Sequence, residues 1–239
     1  MQLAPGTMII VDQFEQVIAG EISDSTMQEM AAKEAQRYIS KGLSRKLMLT
    51  SSDKYMEIFI NVSCPADKLI LVGSGNMVQD LYELAMVVGF NISIIDNRPE
   101  TLTRERFPLA NELLLGDIVE LLHSSTIDSN TSIILVSHNH EYDGPALLEV
   151  VNSPARYIGI LGNKRKVTAY FSKLNEMGVA EELMNRVYVP VGLDLGGQRT
   201  SEIALAIMAE ILAVKYGRSG GFMSIRSITK EMDRHDVYY

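Results

Sequence analysis

The chain has 239 residues, 46% of them hydrophobic and 22% charged, with a net charge of -8 and a pI near 5.1. That balance suits a globular protein with a sizeable core and argues against a nucleic-acid-binding surface, since no cluster of lysine or arginine offsets the acidity. The single cysteine, Cys64, excludes an intramolecular disulfide; no apolar run reaches the roughly 18 residues of a membrane span, and no signal-peptide pattern opens the chain, so a cytoplasmic location is expected.

The first sixty or so residues read as a small α+β lobe. Thr7 to Val11 and Val17 to Ala19 form a hairpin pattern around Asp12-Gln13-Phe14-Glu15. Met27, Met30, Ala31, Ala35, Tyr38 and Ile39 then share one helical stripe with Gly42 near its end, a pattern of core packing and not of a metal surface. Lys46 to Leu49 and Tyr55 to Val62 read as a second strand pair, with Met56, Ile58, Ile60 and Val62 on one face. Cys64-Pro65-Ala66-Asp67 marks a junction, where proline ends the alternating pattern. The expected domains are therefore 1–64 and 65–239.

After the junction the pattern changes to continuous apolar strands alternating with helices, which calls for a parallel sheet covered on both faces. Leu69 to Val72 is a buried strand and Gly73-Ser74-Gly75-Asn76 the turn after it. Met77 to Val88 is a helix closed by Gly89, and Ile92 to Ile95 a strand with Asp96 at its tip. Further elements are strands at Glu112 to Leu115, Ser132 to Val136, Tyr157 to Leu161 and Arg186 to Val189. Helices are expected at Asp117 to His123, Pro145 to Val151, Lys164 to Met177 and Thr200 to Tyr216, the last capped by Thr200. The fold class is α/β, a C-terminal Rossmann-like doubly wound sheet of order 3-2-1-4-5-6 with a small N-terminal α+β lobe. The polar tail from Arg218 to Tyr239 packs loosely or serves an interface.

In such a sheet, ligands bind at the C-terminal strand ends. A glycine turn lets backbone N–H groups approach an anion at a helix N-terminus, and an acid about 20 residues on accepts ribose hydroxyls. Gly73, Ser74, Gly75 and Asn76 are the phosphate-turn candidates, Asp96 the ribose candidate, and Arg98 its neighbour. Val78 stands where the dinucleotide fingerprint has a small residue. The other strand ends carry Ser137 to Asp143, Gly162, Asn163 and Lys164 to Lys166, and Pro190 to Gly196. His138, His140 and Asp143 are candidates for acid/base chemistry, ligand contact or metal ligation, their spacing diagnostic of none. Lys164, Arg165 and Lys166 suit either a phosphate or a solvated surface. His123 and His235 show no convergent partners in the sequence.

The strand-end motifs resemble the xanthine dehydrogenase accessory factor family, XdhC/CoxI. They are Gly73 to Val78, Asp96-Asn97-Arg98-Pro99-Glu100, Arg106-Phe107-Pro108, and Ser137-His138 to Asp143. Tyr157 to Asn163 with Lys166, Pro190 to Gly196, and Thr200 to Ala204 follow in the same collinear order. The resemblance implies a maturation factor that binds molybdenum cofactor, as molybdopterin or its cytosine dinucleotide form. It further implies help with sulfuration and with insertion into xanthine or carbon monoxide dehydrogenase-like molybdenum hydroxylases. The implied partners are a cofactor sulfurase and the large subunit of the hydroxylase, and the implied assembly is a homodimer. The implied cofactor contacts are Gly73, Ser74, Gly75, Asn76, Asp96, Arg98, His138, Gly162, Asn163, Lys166, Gly192, Asp194 and Gly196.

In the lobe, Pro5 to Val11 and Gly20 to Ser23 fit the same family, but Asp24, Ser25, Thr26 and Gln28 stand where it has Gly, Gly, Cys and Glu. A thiolate at a helix N-terminus is a soft ligand suited to molybdenum and a threonine hydroxyl is not. The competing reading is an oxidoreductase that holds NAD(P) in the crevice and uses His138 or His140; a third is an interaction module that has lost its ligand.

Overall fold

The computed structural model describes residues 6–51, 54–63, 66–136, 140–162, 171–172, 174–175 and 178–223. The chain divides into two compact units, Met1–Pro65 and Ala66–Tyr239.

In the first unit, β1 (Ile10–Val11) and β2 (Val17–Ala19) pair antiparallel. The Asp12 carboxylate closes the turn between them by accepting from the N–H groups of Phe14 and Gln16 at 2.8 and 2.9 Å. Gly20 follows at φ +77°, where an added Cβ would lie 2.0 Å from the Met8 carbonyl oxygen, so no larger residue fits. Helix α1 (Ser25–Ile39) comes next, then the antiparallel pair β3 (Arg45–Ser51) and β4 (Lys54–Ile60). Met27, Ala31, Leu49 and Ile22 are buried together, with Met30, Met56 and Ile58 packed on them, which makes the methionine stripe core.

The second unit is built on six parallel strands: β5 (Lys68–Val72), β6 (Asn91–Asp96), β7 (Glu112–Leu115), β8 (Thr131–Leu135), β9 (Tyr157–Ile160) and β10 (Val187–Tyr188). Their order across the sheet is β10-β9-β8-β5-β6-β7, which is 3-2-1-4-5-6 counted from β5. The helices are α2 (Asn76–Val88), α3 (Ile118–Ser124), α4 (His140–Val151), α5 (Glu181–Met184) and α6 (Thr200–Lys215). Alternation along β5 places Leu69 and Leu71 with α2 and α6, and Ile70 and Val72 with α3 and α4. All four side chains are fully buried, worth about 2 kcal/mol each relative to exposure. Val78 is likewise buried between α2 and the sheet, so its bulk serves packing.

Several boundaries differ from the sequence reading, three of them for a visible physical reason. The first strand is shorter, because its ladder with β2 begins at Ile10, opposite Ala19. Helix α4 starts at His140, ahead of Pro145, which costs the ladder one donor. The N-cap of α6 is Arg199 and not Thr200: the Glu202 carboxylate reaches back to accept from the N–H groups of Gln198 and Arg199 at 2.9 and 3.1 Å. Most of the helix expected at Lys164 to Met177, and the tail beyond residue 223, lie outside the described residues. No described helix is long and apolar enough to cross a membrane.

Candidate functional site

Parallel pairing brings the turns after β5, β6, β9 and β10 to one edge of the sheet. Backbone bonds extend the ladder past the strand ends, with the Gly73 N–H donated to the Ile95 carbonyl at 2.7 Å and the Val136 N–H to Val72 at 2.9 Å. The glycine turn therefore starts from a fixed base.

The two glycines of the turn differ in purpose. Gly73 has φ +122°, a region that L side chains rarely adopt. Gly75 has ordinary φ of -74°, and a Cβ added there would meet nothing within 4 Å. Gly75 thus keeps a space open in front of the N-terminus of α2. Helices α1 and α3 are capped by the Asp24 and Asp117 carboxylates, whereas α2 has no side-chain cap at Gly75. Its first-turn N–H groups face outward with the positive end of the helix dipole.

Ser74, between the glycines, is fully buried and held from three sides. Its hydroxyl donates to Asp96 Oδ2 at 2.6 Å and lies 2.6 Å from Thr101 Oγ1. Because the serine proton goes to the carboxylate, Thr101 is the donor in the second bond. The Ser74 carbonyl accepts from Arg106 Nη1 at 2.5 Å, and the same guanidinium donates to the carbonyl of Thr101 at 3.1 Å and to Gln79 Oε1 at 3.1 Å. Arg106 also lies over the Phe107 ring, 5.3 Å from its centroid. A cation so near a helix N-terminus adds to the dipole's field instead of offsetting it, a polarity that favours an anion.

Asp96 is 2% exposed. Arg98 grips it through Nε at 3.1 Å and Nη2 at 2.8 Å, and the Arg98 N–H adds a bond at 3.0 Å. Burial alone would raise this carboxyl, but the Arg98 guanidinium and the Ser74 hydroxyl outweigh it and hold it below the usual carboxylate range. The hydrogen bond to Asp96 in turn raises Arg98.

The loop after β10 is anchored to α6. Gly192, at φ +103°, donates its N–H to Glu210 Oε2 at 2.9 Å, and the Leu193 N–H reaches the Ala206 carbonyl at 3.1 Å. The same Glu210 oxygen accepts from the buried Tyr157 hydroxyl. Beyond this anchor Asp194 and Gly196 are exposed, and Gly162 after β9 is half-buried. Asp143 is buried in α4. His138, Asn163 and Lys166, and the side chain of His140, lie outside the described residues, as does Cys64. Among the described residues no group of three His, Cys, Asp or Glu could hold a metal ion. His123 pairs with Glu149 at 2.8 Å on the surface between α3 and α4.

Residue-level reading did not single out Arg106, Thr101, Gln79 or Glu210. Arg106 had a signal in Arg106-Phe107-Pro108, and Glu210 had one as a lone acid in an apolar helix; Thr101 and Gln79 had none.

In the lobe, Asp24 caps α1 by accepting from the Met27 N–H at 3.1 Å and pairs with Lys54 Nζ at 2.5 Å, while Gln28 Oε1 accepts from the Ile22 N–H at 2.8 Å. The exposed Thr26 therefore sits beside a carboxylate that already fills the helix N-terminus.

The model of the XdhC Rossmann domain matches residues 69–211. An uncharacterized protein, YqeB, of Escherichia coli K12 is 34% identical over 172 residues, which cover 70% of this chain and 31% of that one. A protein of Bacillus subtilis 168 named as a probable subunit of xanthine dehydrogenase is 27% identical, covering 71% of this chain and 49% of its own length. A molybdenum cofactor insertion chaperone, PaoD, of Escherichia coli K12 is 25% identical, covering 63% and 41% respectively. The chain spans about a third to a half of the length of these curated relatives. A crystal structure described as a xanthine dehydrogenase from Bacillus halodurans shares the fold, with a TM-score of 0.58 and 23% identity over 83% of this chain and 67% of that one.

Proposed function

The chain belongs to the XdhC Rossmann domain family, and on that premise we propose that it is an accessory factor for the maturation of molybdenum hydroxylases. In this reading it binds molybdenum cofactor, as molybdopterin or its cytosine dinucleotide form, shields it, and passes it on as cargo without turnover. Its partners are a sulfurase and the large subunit of a xanthine or carbon monoxide dehydrogenase-like enzyme, and it works as a homodimer.

The observation that carries this reading is the glycine turn. Gly75 leaves room, the uncapped N-terminus of α2 supplies N–H donors, and Arg106 adds positive charge beside them. That donor set fits the phosphate or nucleotide end of the cofactor. The molybdenum end wants a soft ligand, and the lobe presents Thr26 beside a capping aspartate where the resemblance expects a thiolate. The dithiolene, a sulfur ligand that the cofactor carries with it, keeps the metal ligated during transfer, so that the chain needs to hold only the pterin and its phosphate.

The test is calorimetry under anaerobic conditions with molybdenum cofactor, its cytosine dinucleotide form, NADH and NADPH. Saturable binding of a molybdopterin form without binding of either nicotinamide is the expected result. Binding of NADH or NADPH alone, with turnover, would replace the chaperone by an oxidoreductase.

A further inference from the structure

We propose that Asp96 is a positioning residue of the glycine turn and not a ribose acceptor, so that the crevice selects its ligand by a phosphate group and leaves ribose hydroxyls unread. The proposal rests on the phosphate-binding reading of the crevice given above and names the part of the ligand that is recognised.

An acid at the tip of the second strand can bind a ribose diol only if its oxygens have room to accept. A carboxylate offers about four lone-pair positions. Here Oδ1 accepts from the Arg98 N–H and Arg98 Nε, and Oδ2 from Ser74 Oγ and Arg98 Nη2, which fills them. A diol would have to displace bonds from a guanidinium, which are roughly twice as strong as neutral ones. Asp96 and Ser74 are both buried, which closes the approach as well.

The same contacts give Asp96 another task. Asp96 and Thr101 fix the Ser74 hydroxyl while Arg106 fixes the Ser74 carbonyl, so the Ser74 side chain and the Ser74–Gly75 peptide plane are held in one orientation. Gly73 and Gly75 have no side chains to do this. The carboxylate sets where the turn's N–H groups point, and it acts on a ligand only through them. A pterin phosphate and a nucleotide form of the same cofactor would be held by the same group.

Calorimetry of the full chain with inorganic pyrophosphate, CDP and 2′,3′-dideoxy-CDP tests this, in the wild type and in Asp96→Asn and Ser74→Ala. The wild type should bind CDP and its dideoxy analogue within about threefold of each other. Asp96→Asn should weaken all three probes by one common factor of about ten or more, Ser74→Ala should do the same, and the double variant should lose little further. A dideoxy analogue bound tenfold or more weakly than CDP (about 1.4 kcal/mol) would overturn the proposal, as would a loss in Asp96→Asn confined to CDP. Hydrogen exchange without ligand gives an independent arm: Asp96→Asn should speed exchange at the amides of residues 74–77 and leave those of β5 and β8 unchanged. Unchanged exchange at the turn overturns the positioning role. Absence of heat from every probe in the wild type overturns the phosphate-binding reading itself, and the exchange arm still decides the role of Asp96.

Discussion

Tyr157 on β9 donates its buried hydroxyl to Glu210 on α6, and the oxygen that receives it also holds the Gly192 N–H of the loop after β10. The tyrosine ring stacks on Tyr188 at 4.5 Å between centroids. Burial and the Glu210 carboxylate push the Tyr157 hydroxyl above its ordinary range, so it stays protonated and remains a donor. Tyr157→Phe should cost about 1 to 2 kcal/mol in urea denaturation, and Glu210→Ala more, because it leaves two donors without an acceptor. Equal stability of Glu210→Ala and the wild type would remove this anchor from the account of the loop.

The glycines of the crevice should separate into two kinds on substitution. Gly75→Val meets ordinary backbone and open space, so thermal stability should change by less than about 1 kcal/mol while phosphate binding disappears. Gly192→Val meets φ +103° and an Ile207 backbone nitrogen 3.3 Å from the new Cβ, so it should destabilise by about 2 kcal/mol or more. Thermal melts of both variants, with calorimetry of the first, check the pair.

Asp67 joins the start of β5 to Arg156 at 2.7 Å and to Lys215, near the end of α6, at 2.5 Å. Burial alone would raise its carboxyl, but Lys215 and Arg156 together hold it below the usual range. A folded-state pKa below the unfolded one means that the folded chain binds fewer protons there. The contribution is fully present above the unfolded pKa and is lost as pH falls through the folded one. Asp67→Asn should therefore lower stability by about 1 to 2 kcal/mol at pH 7, with the gap closing below about pH 4. A gap that is the same at pH 7 and pH 3 in denaturation curves would assign the effect to packing.

Thr26→Cys alone should produce a sluggish thiol, because the neighbouring Asp24 carboxylate opposes a second negative charge at the start of α1. Asp24 is itself held below the usual range, first by Lys54 and then by the Met27 N–H, and so remains ionised at neutral pH. Adding Asp24→Gly to Thr26→Cys should lower the thiol pKa, read as faster iodoacetamide labelling of residue 26 at pH 7 by mass spectrometry. The same pair should raise affinity for molybdenum cofactor above that of Thr26→Cys alone. Identical labelling rates in the two variants would show that Asp24 does not control this turn.

The polarity and period of side chains were enough to read the strands and helices and the order of the sheet. Continuous apolar runs such as Leu69 to Val72 have one physical outcome, burial on both faces, and right-handed crossovers leave few ways to arrange six parallel strands. The glycine turn and the acid at the second strand's tip were equally legible, since backbone freedom and strand ends are local properties. What Asp96 does was not. Its partners Ser74 and Arg98 lie 22 and 2 residues away, and sequence spacing carries no information on which of them reaches a carboxylate oxygen first. Arg106 reaching back 32 residues to the Ser74 carbonyl, and Glu210 reaching 53 to Tyr157, depend on side-chain directions that exist only once the sheet has assembled. The sequence by itself determined the fold and the strand end at which the glycine turn stands; tertiary structure decided which polar groups there are consumed in holding the turn.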